Sequence, residues 1–183
     1  VAKNLSFVSH VGDIVVSGAI GTNQNKAQWD RADSAISKLD GDLNTKPDGV
    51  IPYSTTIGNR DYDLTHVKGA ATQFLKYFGP TRCGTRKWWG GAGPDGVSAY
   101  QIFEANGQKI LHLALEWRPR DKVIIWARKI LTANPSLPAI LSTHQYLSPT
   151  GFDDTGTTPN TSGDNSGSDI RNKLVEPFPQ IFL

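Results

Sequence analysis

Three short polar stretches stand directly after apolar runs: Gly12-Asp13 after "FVSHV", Gly58-Asn59-Arg60-Asp61 after "VIPYSTTI", and Thr143-His144 after "AILS". If each run is a strand of an open α/β sheet, these polar ends gather at the carboxyl edge, where ligands bind. A carboxylate, a carboxamide oxygen and an imidazole together suit a divalent cation of intermediate hardness such as manganese, iron or zinc. Glycine before Asp13 and before Asn59 lets the backbone turn sharply and approach a bound group closely. Singly, each residue has an ordinary use: Asp or Asn after Gly commonly caps the next segment, and a histidine after a strand is commonly a hydrogen-bonded core residue. Their conjunction points to a cation site at Asp13, Asn59 and His144.

The elements that must position these residues alternate between strand and helix. Leu5–Val16 reads as a buried strand running into a turn, and Gly49–Ile57 as a second strand that Pro52 delays or places near an edge. Trp29, Ala32, Ile36 and Leu39 fall at helical spacing within Gln28–Leu39, as do Val123, Trp126, Ala127, Ile130 and Leu131 within Asp121–Leu131. Ala71–Phe78 is a shorter helix closed by Gly79-Pro80. Ser98–Phe103 and Lys109–Glu116 form an antiparallel pair about Asn106-Gly107, and Ala139–Ser142 is a further short strand. Residues 79–97 read as an irregular excursion rich in chain breakers. Ser148–Asp169, poor in apolar residues, reads as a flexible loop or lid. The pattern is that of an α/β fold with antiparallel additions.

The totals narrow the possibilities. A chain of 183 residues, 38% hydrophobic and 20% charged, fits one soluble domain with its own core. Its net charge of +2, spread along the chain, indicates neither a nucleic-acid nor a membrane partner. No apolar run approaches the ~20 residues of a membrane span, and no signal-peptide pattern opens the chain. The single cysteine, Cys83, excludes an internal disulfide and reads as an inert thiol. The tryptophans of "KWWGGAG" read as core cover rather than a substrate-stacking loop. The chain lacks methionine, and "PQIFL" has the look of a strand just starting; both suggest a processed product or a piece of something longer.

The ordered set "GDIVVSG", "IPYSTTIGNRDYD", "LALEWRPRDKVIIWARKIL" and "PAILSTHQYL" resembles the calcineurin-like metallophosphoesterases, over nearly the whole chain. The resemblance implies a two-sheet sandwich flanked by helices, complete or incomplete here. It also implies metal ions held by Asp13 as the bridging ligand and by Asn59 and His144, and hydrolysis of phosphomonoesters or diesters by attack of a metal-bound hydroxide.

The chain departs from that pattern at three places. An Asp-x-His is expected upstream of Asp13 and a Gly-His-x-His after "PQIFL"; neither is present, so a single ion is the expectation. His10, His66 and His112 are the possible substitutes. His10 lies three residues before Asp13, which on a continuous strand points it to the opposite face. Third, the family has histidine where this chain has Arg60. A guanidinium does not give up its proton in water, but its donors bind phosphoryl oxygens well. On that reading Arg60 faces the leaving group, Asp61 holds Arg60 in place, and substrates with good leaving groups are favoured. The alternative is a surface ion pair between Arg60 and Asp61 of little consequence.

Two functions stand side by side. One is a phosphoester hydrolase with an altered or impaired site; the other is a degenerate relative that binds phosphate or a partner without turnover. Open sheet edges also raise the expectation of a homo-oligomer.

Overall fold

The computed structural model describes residues 4–16, 26–42, 44–46, 49–64, 66–152 and 163–182. It is a mixed α/β structure built on two principal sheets. Strands β1 (Val8–His10) and β2 (Tyr53–Thr55) pair in parallel, with Ser9 opposite Ser54. Strands β3 (Trp89–Ala92), β4 (Ala99–Ala105), β5 (Gln108–Ala114) and β6 (Ala139–Ser142) form a second sheet in that order. Within it, β4 and β5 are antiparallel and β5 and β6 parallel. The β4–β5 turn is the expected Asn106-Gly107, with φ of 50° and 77°. Two successive left-handed residues give the turn whose twist matches the flanking strands.

Strand β5 shows how one sequence serves two faces. Leu111, Leu113 and Leu115 point one way and are fully buried against Val123, Ala127 and Leu131 of α4 (Asp121–Ala133). That layer is completed by Ile170 and Leu174, from α5 (Gly167–Ile170) and the π-helical turn that continues it over Arg171–Val175. Successive strand residues alternate faces, so His112 points the other way, toward β1. There its Nδ1 lies 3.0 Å from Gln101 Oε1, while its Nε2 lies 2.9 Å from Ser142 Oγ and 3.2 Å from Ser9 Oγ. Ser9 Oγ is also 3.2 Å from Ser54 Oγ. The two sheets are thus joined by polar groups rather than by a purely apolar seam. Burial pushes the His112 pKa down to about 3, so the ring is neutral.

On the β1–β2 side, α1 (Lys26–Asp40) buries Trp29 against Tyr77 and Phe78 of α2 (Thr72–Phe78), at ring separations of 5.9 and 6.1 Å. Gly41, at φ 62°, ends α1 by donating its N–H to Ser37 O, a left-handed C-terminal stop that glycine accepts without strain. Asp40 then faces a cluster contributed by α3 (Pro80–Cys83) and its neighbours. It accepts from Arg82 Nη2 and Arg86 Nη2 at 2.7 Å each and from Tyr53 Oη at 3.0 Å.

Several expectations change. The strand expected over Leu5–Val16 contracts to Val8–His10, and that over Gly49–Ile57 to Tyr53–Thr55, because the flanking residues turn. Residues 79–97 are not simply irregular: α3 and β3 form within them, and β3 extends the larger sheet past Tyr100. Cys83 ends α3 rather than lying in a loop, and burial raises its thiol pKa. Trp88 is buried beside Tyr53 and Cys83 in the core. The stretch read as a loop from Ser148 is ordered at both ends. Strands β7 (Leu147–Ser148) and β8 (Gly151–Phe152) make a small hairpin. Ser166 and Asp169 form a reciprocal capping box at the start of α5, while 153–162 lie outside the described residues. Among the described residues no helix is long and apolar enough to cross a membrane.

Removing one member of a buried ion cluster strands its partners' charges. Asp40→Ala is expected to lower unfolding free energy by about 3–5 kcal/mol, because Arg82 and Arg86 lose their shared acceptor; urea denaturation monitored by tryptophan fluorescence checks this.

Candidate metal centre

The carboxyl ends of β1 and β2 turn against each other at two glycines. Gly12 has φ 99° and Asp13 φ 53°. A Cβ on Gly12 would stand 2.6 Å from His144 Nδ1 and 2.9 Å from Gly58 Cα, both inside van der Waals contact. A Cβ on Gly58 would overlap the N and Oδ1 of Asp13. The two turns therefore cross backbone on backbone, and this crossing delivers Asp13. A left-handed conformation at a non-glycine residue costs of order 1–3 kcal/mol and persists only where the surroundings impose it.

Asp13 presents its two oxygens to different neighbours. Oδ1 accepts the Arg60 backbone N–H at 3.0 Å and lies 3.5 Å from His144 Nε2, while Oδ2 lies 3.3 Å from Arg60 Nε. His144 Nδ1 is 2.9 Å from Val11 O. A carbonyl oxygen can only accept, so Nδ1 carries a proton and donates, which leaves Nε2 as the nitrogen facing the carboxylate side. This fixed tautomer is the arrangement that orients metal-ligating histidines. Two donors each about 2.1 Å from one ion at tetrahedral angles stand about 3.4 Å apart; the observed 3.5 Å between His144 Nε2 and Asp13 Oδ1 fits such a pair. It is long for a direct hydrogen bond.

Asn59 is brought to the same edge, but its side chain is turned aside. Its Nδ2 lies 2.5 Å from His66 Nδ1, and its main-chain carbonyl accepts the His66 backbone N–H at 2.8 Å. His66 itself sits at φ 62°. Asn59 thus makes no hydrogen bond to Asp13 or His144 among the described residues. Nor are three His, Cys, Asp or Glu side chains gathered around one point among them.

Arg60 and Asp61 do not pair with each other as the sequence suggested. Arg60 takes Asp13, whereas Asp61, fully buried, accepts from Gly58 N at 2.8 Å and Val15 N at 3.1 Å. Asp61 is the clamp that holds the two turns together, not the support of Arg60. Burial outweighs those N–H bonds and moves its carboxyl pKa up to about 6.

His10 is also placed differently from expectation. The turn at Gly12 and Asp13 interrupts the strand, so the alternation that assigned His10 to the far face does not reach Asp13. Burial lowers the His10 pKa, the nearby His144 ring lowers it further, and the Asp13 charge opposes both. No periodic signal marks this; only the positive φ at Gly12 reveals it. His112 lies in the inter-sheet network, away from Asp13.

Behind the site the "LEW" segment supplies support that sequence reasoning missed. Trp117 N donates to Ile57 O at 3.2 Å, tying this segment to the run before Gly58. Glu116, fully buried, accepts from Tyr62 Oη at 3.0 Å and from Arg120 N at 3.0 Å. Lys68, also buried, donates to Arg118 O and to Asp164 Oδ1, and stands 3.9 Å from Glu116 Oε1. These bonds hold Ile57, Tyr62 and Lys68 from below.

An uncharacterized protein of Bacillus subtilis (strain 168), YvnB, is 30% identical to this chain over 182 residues, 98% of the chain. The chain spans 12% of that relative's length. No family model matches the chain, and no solved structure matches it.

Two of the perturbed groups, His112 and Asp61, pull stability in opposite directions with pH. His112 is held neutral with a folded pKa of about 3, below its ordinary 6.5, so its contribution is complete above that ordinary value and is lost as pH falls. Asp61, raised from 3.8 to about 6, contributes below its ordinary value and loses that contribution as pH climbs through 6. At about 1.4 kcal/mol per unit the histidine's effect is the larger, roughly 5 against 3 kcal/mol. Between about pH 4 and 6 the two nearly cancel, so melting in metal-free buffer is expected to rise only slightly from pH 4 to 6.5. Asp61→Asn should steepen that rise, and a thermal scan across the range checks it. Gly58→Ala should cost several kcal/mol by forcing the two turns apart, read by the same scan.

Proposed function

We propose that the chain carries a divalent-cation site at Asp13 and His144, with Asn59 as a further oxygen donor, and that the protein hydrolyses phosphate esters. The observation that carries the reading is the 3.5 Å spacing of Asp13 Oδ1 and His144 Nε2, with Nδ1 locked on Val11 O. A carboxylate and a neutral imidazole so disposed suit manganese, iron or zinc. The two principal sheets, facing one another through Ser9, His112 and Ser142 with helices outside them, suit the two-sheet sandwich of the calcineurin-like metallophosphoesterases. The order of Gly-Asp, Gly-Asn and Thr-His along the chain suits it as well.

A divalent cation bound here would lower the pKa of coordinated water and so supply hydroxide at neutral pH. The chain's own residues do the rest. Asp13 and His144 would hold the ion. Val11 O keeps His144 in the ligating tautomer. Asn59 would join them only with its side chain turned away from His66. Arg60, with 42% of its side chain exposed, offers guanidinium donors to the phosphoryl oxygens. Because Arg60 cannot protonate a departing alkoxide, turnover is expected to favour esters whose leaving group needs no proton.

A second reading, a binding module without turnover, is favoured by one observation: Asp13 is already paired with a cation, Arg60. The two separate on measurement. With added manganese, the hydrolase reading expects p-nitrophenyl phosphate to turn over and an alkyl phosphate to react far more slowly; equal rates would remove the role given to Arg60. Asp13→Asn and His144→Ala are each expected to weaken manganese binding at least about a hundredfold, since even indirect supports of a metal site are worth 10–100-fold. Calorimetric titration reads that loss, and binding unchanged in both variants would overturn the site.

A further inference from the structure

The two oxygens of Asp13 are not equivalent. Oδ1 faces His144 and the Arg60 backbone; Oδ2 faces the Arg60 guanidinium, 3.3 Å from Nε. A carboxylate can bridge two cations with one oxygen for each, and here a positive charge already stands on the second. The same residue supplies both contacts. Its main-chain N–H fixes Oδ1, and its side chain folds back onto Oδ2, so the guanidinium is tethered over a very short loop and need not be captured from solution.

From this geometry we infer that Arg60 is the second cation of the centre. The guanidinium takes the Oδ2 side permanently, and the centre accepts one divalent ion, on the side of Oδ1 and His144. This inference rests on the cation site proposed above and assigns its stoichiometry and charge. The fixed guanidinium has two consequences. It repels the incoming divalent ion across a few ångströms of half-buried space, where charges interact more strongly than in bulk water. Metal binding is therefore weaker than the Asp13–His144 pair alone would give. It also leaves a cation beside the ion that a phosphoryl group can bridge, since guanidinium donors match phosphate oxygens. A charge that titrates or exchanges, such as a second metal, would be lost at low metal supply; a guanidinium is not.

Titration of the wild-type chain with manganese, by calorimetry and by the paramagnetic signal of the free ion, tests this. One equivalent is expected to bind. Arg60→Gln, which keeps the backbone N–H on Oδ1 but removes the charge from Oδ2, should bind that equivalent about tenfold tighter. Arg60→Lys, which keeps a positive charge, should stay near wild type, and circular dichroism confirms that each variant is folded. Two equivalents bound by the wild type, or equal affinity in wild type and Arg60→Gln, would overturn the inference. If Asp13→Asn abolishes binding while Arg60→Gln leaves it unchanged, the cation site stands and only the role of Arg60 falls. If the wild type binds no manganese at all, both fall together.

Discussion

Two loops of backbone cross at the carboxyl ends of β1 and β2 with no room for a side chain on either. Gly12 lies against Gly58 and His144, and Gly58 lies against Asp13. The remaining features of the site are consequences of that contact. It forces the left-handed backbone at Gly12 and Asp13, which aims the carboxylate at His144. It also lets Asp61 reach the N–H groups of both turns at once. A buried carboxylate with a raised pKa is an expensive clamp, and it is tolerated because it fastens together two segments 46 residues apart.

The charge pattern follows from the same crossing. Once Asp13 is fixed on the backbone N–H of Arg60, the side chain of that residue has its counter-ion within reach. The next residue, Asp61, is committed inward. Neighbouring residues thus take opposite roles, one toward solvent and one toward the core. The "LEW" strand end then supports the arrangement from beneath, through Trp117 on Ile57 and Glu116 on Tyr62.

Much of the framework was legible in the residues. Helical spacing of Trp29, Ala32, Ile36 and Leu39 predicts α1, which runs over Lys26–Asp40, and Asn106-Gly107 predicts the β4–β5 turn. Asp13 and His144 do come together, although β1 and β6 belong to different sheets, because Ser9 and Ser142 bring those two strands face to face. What sequence could not give was side-chain direction beyond a turn. His10 was assigned by strand alternation, which fails at the positive φ of Gly12, and Asn59 turns toward a histidine seven residues away in an irregular segment. Asp61 follows Arg60 and invites pairing with it, yet burial of the backbone N–H groups of Gly58 and Val15 creates the stronger demand. Helix α5 was missed because its first turn is polar and rests on capping rather than on apolar periodicity.

The hydrogen bonds between the sheets have a direction. Gln101 Oε1 can only accept, so the His112 ring must give its Nδ1 proton there and keep a single lone pair for two serine hydroxyls. Only one of Ser142 and Ser9 can donate to that lone pair. The other must turn its proton elsewhere, Ser9 toward Ser54 or Ser142. The seam between the layers is therefore an ordered relay of hydroxyls, whose sense is set from the buried amide outward, and the edge strand β1 is held in register by the orientation of protons as well as by shape.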